Sequence, residues 1–274
     1  MDNSNDPQLQ TIRNFLLNAP PGEFNEVAND VRELVQNDQL LKSNSEYCFV
    51  SFSSYYHYLP FFRVFSQYNK ELFTACKLPN VNEMVLITDY NDLGGGRFFD
   101  PKSKHSFKYD HLKREASDIE PFESPATDLE MWRGAVEVAM HTSVLNRYPQ
   151  GIVSTFSLPS GHKHLFNGSS DTSTAKNLPS LVSCIESHLY QPKNFWNGKW
   201  RSQWIVTPTA DLPFQSGSTV EVTGKFHIQV HYFEEGNIQL ICTKEVRHSI
   251  TLSVSCPLVH NVFFFNFCLL NFLD

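Results

Sequence analysis

The stretch Val230-His231-Tyr232-Phe233-Glu234-Glu235-Gly236-Asn237-Ile238 reads as two strands meeting at a tight turn. Ahead of the turn, Phe226, Ile228, Val230 and Tyr232 alternate with Lys225, His227, Gln229 and His231. That period of two marks a strand with one buried face. Gly236 and Asn237 tolerate positive φ, and Ile238, Leu240 and Cys242 resume the alternation. Physical chemistry alone makes this a hairpin in an antiparallel sheet and assigns it no function.

Working outward, strands are expected over 151–158, 181–189, 200–206, 220–233, 238–246 and 248–254, a consecutive antiparallel meander. Asn197-Gly198 carries a two-residue hairpin signal that would set Phe195 opposite Trp200. The region 157–180 is polar and rich in Ser, Thr and Gly, which marks a loop. Upstream, Leu129, Trp132, Val136, Ala139, Met140 and Val144 repeat at three and four and predict a helix over 128–148. Short strands are expected around 84–88, 97–99 and 106–109, separated by Gly, Asn, Asp and Pro turns.

The N-terminal region is helical. Asp6-Pro7 is an N-cap acid followed by proline at the first helical position, and Pro20-Pro21-Gly22 stops that helix. Phe24, Val27, Ala28, Val31, Leu34 and Val35 form one apolar stripe, and a third helix should begin near Asp38. Short connections imply antiparallel packing. Residues 49–65, by contrast, are almost all aromatic, aliphatic or serine, with neither a helical nor a strict strand period. Such a segment gives no single apolar face, so it should lie outside the packed core.

Net charge is −7 and the pI about 5.9, with no basic cluster, which argues against a nucleic-acid binder. No Cys-x-x-Cys pair occurs among the six cysteines, so zinc has weak support. Scattered cysteines behind a polar, acidic N-terminus are expected to be reduced thiols of a cytoplasmic protein. The apolar run 262–273 is far short of the ~20 residues of a spanning helix, so no transmembrane segment is expected.

Candidate chemistry does not survive inspection. Gly94-Gly95-Gly96 lacks the Gly-Lys-Ser/Thr ending of a phosphate loop and reads as a turn. His162-Lys163-His164 has too few neighbouring ligands for a metal site. Glu186 and His188 share a strand face and could hydrogen-bond, but no nucleophile adjoins them. Lys193, Phe195, Trp196, Lys199, Trp200, Arg201 and Trp204 mix cations with aromatics as single-strand nucleic-acid sites do. A half-buried hairpin shows the same pattern. No catalytic, cofactor or metal residue is nominated, and no enzyme activity or cofactor is expected.

Several long strings carry a family resemblance. Residues 230–237 resemble the VHYYEDGN signature of the α subunit of F-actin capping protein. Residues 19–27, APPGEFNEV, match that family, and DLGGGRFFDP at 92–101 is similar to its DLGNGRFLDP. Cys184-Ile185-Glu186-Ser187-His188, residues 191–198 and Trp200-Arg201-Ser202 follow in family order. The resemblance implies an α+β fold. An N-terminal antiparallel helix bundle would occupy 1–80, with 49–65 as an insertion. A small β region would span 81–127, and a helix plus an antiparallel sheet 128–255. It also implies pairing of that sheet with a capping-protein β subunit, and binding of the heterodimer to barbed ends of actin filaments, which blocks subunit exchange.

In the family a long helix and a basic amphipathic tail follow the sheet. Here 256–274 is apolar, and no lysine or arginine follows Arg247. The resemblance therefore leaves the actin-contacting residues unknown. It also raises an alternative expectation: an isoform or fragment that forms the heterodimer but caps poorly.

Overall fold

The computed structural model describes residues 7–36, 60–79, 81, 84–111, 113–123, 127–158, 179–208, 218–234 and 237–251. Helices α1 (Pro7–Leu17), α2 (Phe24–Val35) and α3 (Pro60–Glu71) form the N-terminal unit, with α1 packed against both others. Leu16, Ala19, Phe24, Val31, Tyr68 and Leu72 make its core. The Phe24 ring stacks on Tyr68 at 4.1 Å and meets Phe65 edge-on at 5.0 Å. Gly22 takes φ +88° between α1 and α2, and a Cβ there would lie 3.3 Å from the Tyr190 ring. Both the turn and the close approach to the sheet thus require glycine.

Two expectations fail in this unit. Leu34 belongs to the apolar stripe of α2 by spacing, yet it is 79% exposed. Residues 49–65 do not lie wholly outside packed structure. Pro60 opens α3 at the position where a missing N–H costs nothing, and Phe65 packs against the bundle core. The absence of a period across the whole stretch concealed a helix that begins near its end. Residues 49–59 and the helix start expected near Asp38 fall outside the described residues.

Two small antiparallel sheets follow. β1 (Thr74–Lys77) pairs with β2 (Met84–Ile87). β3 (Asp92–Gly94), β4 (Arg97–Asp100), β5 (His105–Asp110) and β6 (Glu115–Pro121) pair in sequence order. Gly94, Gly95 and Gly96 all have positive φ at the β3–β4 turn. Cys76, Leu78, Val85, Ile87, Phe98, Phe107 and Tyr109 close the core between the two sheets. His111 ties this region to α3. The Asn69 amide donates to the His111 carbonyl at 2.9 Å and lies 3.3 Å from its ring Nδ1, while Thr74 donates to Asn69 Oδ1 at 3.0 Å.

His111 therefore couples the fold to pH. Burial first, then Lys70, pushes its pKa down from 6.5 to about 4. Between those values the unfolded chain holds a proton that the folded chain excludes. Stability is complete above pH 6.5 and falls as the pH drops toward 4, by about 3 kcal/mol if this group acts alone. Urea titrations at pH 7 and pH 4.5 should show the loss, and His111→Gln should flatten it.

The third layer is built on a five-stranded meander. β7 (Ile152–Leu158), β8 (Ser180–Gln191), β9 (Trp196–Pro208), β10 (Thr219–Tyr232) and β11 (Ile238–Thr251) lie in sequence order, each neighbour antiparallel. Helix α4 (Asp128–Arg147) starts at the Thr127 cap, whose side chain accepts from the Glu130 N–H, and packs on one face. Trp132, Val136, Met140 and Val144 meet Leu181, Ile185, Trp204, Val206, Val222 and Ile250 there. On the opposite face, Phe73 and Leu86 pack against Phe156, Val182, Cys184 and Ile205.

The meander is as the sequence implied, but its turns are not. Asn197 and Gly198 sit inside β9, opposite Tyr190 and Leu189 on β8 and His231 and Val230 on β10. The reversal instead occupies the 3-10 turn Pro192–Asn194 and Phe195, at φ +58°. Trp200 consequently faces Ser187 and Ile228, not Phe195. A central strand with ladders on both sides outweighs the local turn preference of Asn-Gly. The β10–β11 connection spans five residues, with Asn237 at φ +51°, since Tyr232 pairs with Ile238. β11 runs unbroken through Arg247, where two strands were expected.

Gly224 has a packing role. An added Cβ would lie 2.5 Å from Cζ3 of Trp204, whose ring lies across the glycine and meets Phe226 edge-on. Gly224→Val should destabilise by about 1–3 kcal/mol through overpacking. A midpoint shift in urea unfolding would register it.

Candidate interaction surface

Strand alternation places β11 in register with its neighbours on two chemically distinct faces. On the α4 face, Leu240, Val230, Gly198 and Leu189 form one cross-strand row, and Ile238, Tyr232 and Trp196 the next. α4 covers the far end of this face. At the near end Ile238 and Leu240 are each 60% exposed, and Leu189, Ile228 and Tyr232 are exposed too. Among the described residues the outer edge of β11 has no neighbouring strand, so 14 residues present an open backbone edge.

At this end of the sheet the other face is polar, and there the helix bundle meets it. Glu23, at the start of α2, accepts from the Asn197 amide at 3.3 Å and contacts His231 Nδ1. His231 Nε2 contacts Asn237 Oδ1. Next to this lies a buried charge cluster. Glu186 is 0% exposed; its Oε1 lies 2.6 Å from His188 Nδ1 and 3.3 Å from Lys199 Nζ, and its Oε2 has no partner among the described residues. Burial pushes the Lys199 pKa down to about 8, with Glu186 pulling it back up.

The structure thus brings Glu186 and His188 together as their spacing implied. It adds Lys199, which no local spacing joins to them. Register is the missing signal: Glu186 faces Arg201, and His188 faces Lys199. The cation–aromatic cluster divides between the two faces, with Lys199 and Arg201 on one and Trp196, Trp200 and Trp204 on the other. It therefore forms no stacking platform. His162-Lys163-His164 falls outside the described residues. Among the described residues no group of three or more His, Cys, Asp or Glu is placed to hold a metal, and no helix is long and apolar enough to cross a membrane.

Comparison with known proteins agrees with this architecture. Over 238 residues the chain is 40% identical to the F-actin-capping protein subunit alpha of Caenorhabditis elegans, covering 87% of this chain and 71% of that one. It is 30% identical to the Dictyostelium discoideum subunit alpha, over 86% of this chain and 71% of the relative. The human subunit alpha-3 is also 30% identical, over 89% of this chain and 68% of that protein. A homodimeric actin capping protein alpha subunit from Plasmodium berghei has the same fold. It superposes with a TM-score of 0.67 at 19% identity, covering 97% of this chain and 88% of that one. The family model of the F-actin capping protein alpha subunit matches residues 12–59 and 60–263. The two matched stretches abut where α3 begins, and the second passes beyond β11. With its meander, its bundle and these matches, the chain belongs to the F-actin capping protein alpha subunit family.

Proposed function

We propose that the chain is the alpha subunit of a heterodimeric capping protein that binds barbed ends of actin filaments in the cytoplasm and blocks subunit gain and loss. The observation that carries the reading is the β11 edge, open among the described residues, with its exposed apolar end, in a chain of this family. A capping-protein beta subunit would extend the sheet along β11 and cover Ile238 and Leu240. Obligate partners bury apolar surface of this kind. The activity is stoichiometric binding. It requires no bond-making step, cofactor or metal, and the charge clusters described above serve packing.

The test is elongation of pyrene-labelled actin from filament seeds, with the chain co-expressed and purified with a beta subunit. The heterodimer should stop barbed-end growth at concentrations far below that of actin and leave pointed-end growth unchanged. Undiminished barbed-end growth at saturating heterodimer would sink the reading.

A further inference from the structure

Where the three structural units meet, a cavity of about 520 Å³ opens between α3, the β2–β3 turn and the polar face of β9–β11. That volume suits a small organic ligand. Its floor is a grid set by strand register: Arg201 faces His227, which faces Thr243, and Gln203 faces Lys225, which faces Glu245. Phe73 and Tyr90 make an aromatic wall, with the Gln203 amide donating to the Tyr90 hydroxyl.

The charges around the cavity are not equally satisfied. Lys70 pairs with Asp89 at 3.1 Å and also contacts Asp92. Lys225 reaches Glu245 at 3.3 Å on the exposed rim. Among the described residues the Arg201 guanidinium has one long hydrogen bond, from Nη1 to Gln229 Oε1 at 3.4 Å, and Glu71 is the carboxylate that acts on it most. Five fixed donors on a planar group with a single long contact are an anion site in waiting. The His227 ring, 2.9 Å from Thr243 Oγ1, has its pKa pushed down to about 4 by burial, then by Arg201 and Lys225. Arg201 and Lys225 are thus the cations beside a neutral ring, while Glu245 sits on the rim and Glu71 and Asp89 line the other side.

We propose that this cavity binds a small phosphorylated organic molecule, with its phosphate held by Arg201 and Lys225 beside His227, and its planar body against Phe73 and Tyr90. An Arg–phosphate pair is charge-assisted and directional, whereas the aromatic wall selects for a ring. The site lies on the face opposite the exposed apolar end of the sheet.

The test is calorimetric titration of the full chain, in the assembly in which it purifies, with adenosine 5′-monophosphate, ribose 5-phosphate and inorganic phosphate. Adenosine 5′-monophosphate should bind saturably and at least about tenfold tighter than inorganic phosphate. Arg201→Gln should weaken it by about tenfold or more. On binding, the His227 pKa should rise, read from its ring NMR signals. Should Arg201→Gln fail to fold by circular dichroism, the rim variant Lys225→Gln decides, with an expected loss of about threefold. No saturable binding, equal affinity for all three probes, or affinity unchanged in the folded variant would each overturn the proposal.

Discussion

Lys199→Met should lower the unfolding free energy by about 3–5 kcal/mol, among the largest effects of any single substitution in the sheet. Among the described residues, removing the ammonium leaves the Glu186 carboxylate buried, with Oε2 unpartnered and only His188 at Oε1. Glu186→Gln should cost less, because the Lys199 amine left behind can give up its proton. Burial already holds the Lys199 pKa near 8, and without Glu186 it falls further, so the amine sheds its proton.

The pH dependence gives the sign. Between about 8 and 10.5 the unfolded chain carries a proton on this lysine that the folded chain has lost. Its contribution to stability therefore rises with pH through that window. In Glu186→Gln the rise should begin at lower pH. The double variant Glu186→Gln/Lys199→Met should lose much less than the sum of the two single losses, since neither charge of the pair remains buried. Chemical denaturation of the four proteins at pH 7 and pH 9.5 completes the cycle. If Lys199→Met unfolds at the same midpoint as the parent, the pair is not coupled and this account of the cluster is wrong.

The cluster also shows what the sequence could and could not disclose. Alternation across 226–232 and the helical repeat across 132–144 were sufficient to imply an α+β chain with a terminal meander, because each element carries its own period. Turn positions were less legible. Asn197-Gly198 has local turn chemistry, but two flanking strands pair across it, and long-range pairing is not written in a dipeptide. Leu34 fits the stripe of α2 and is exposed, because which part of a stripe is covered depends on where the neighbouring helices lie.

Residues at the interaction surface follow the same division. Glu186 and His188 are two apart on one strand, so their contact could be anticipated. Lys199 and Arg201 join them only through the β8–β9 register, and Lys70, Tyr90 and Arg201 line one cavity only because three separate units converge. The family strings locate the signature hairpin unaided. They do not show that its second strand is the exposed edge of the sheet.

That edge sets the last expected result: Ile238→Lys/Leu240→Lys should abolish co-purification with a capping-protein beta subunit. β11 is 14 residues long, with hydrogen-bonding groups open along its outer side. Natural edges of this length are protected by charge, bulges or a partner. Lys244, Glu245 and Arg247 supply charge to the middle of the strand, but 238–242 carries none. Its apolar members on the α4 face continue into Val230, Tyr232 and Leu189, a patch that no other described residue covers and that a partner would dry. Two lysines there would bring unpaired charge into the contact, and loss of two large aliphatic anchors at about 2 kcal/mol each corresponds to about 10³-fold in affinity. Gln239→Lys, on the opposite face of the same strand, is the control and should leave the complex intact, which separates a face-specific contact from general damage to the edge. The chain expressed alone should aggregate, for the same reason that the double variant fails to pair. A double variant that still co-purifies at parental yield would place the partner elsewhere and remove the β11 edge from the assembly.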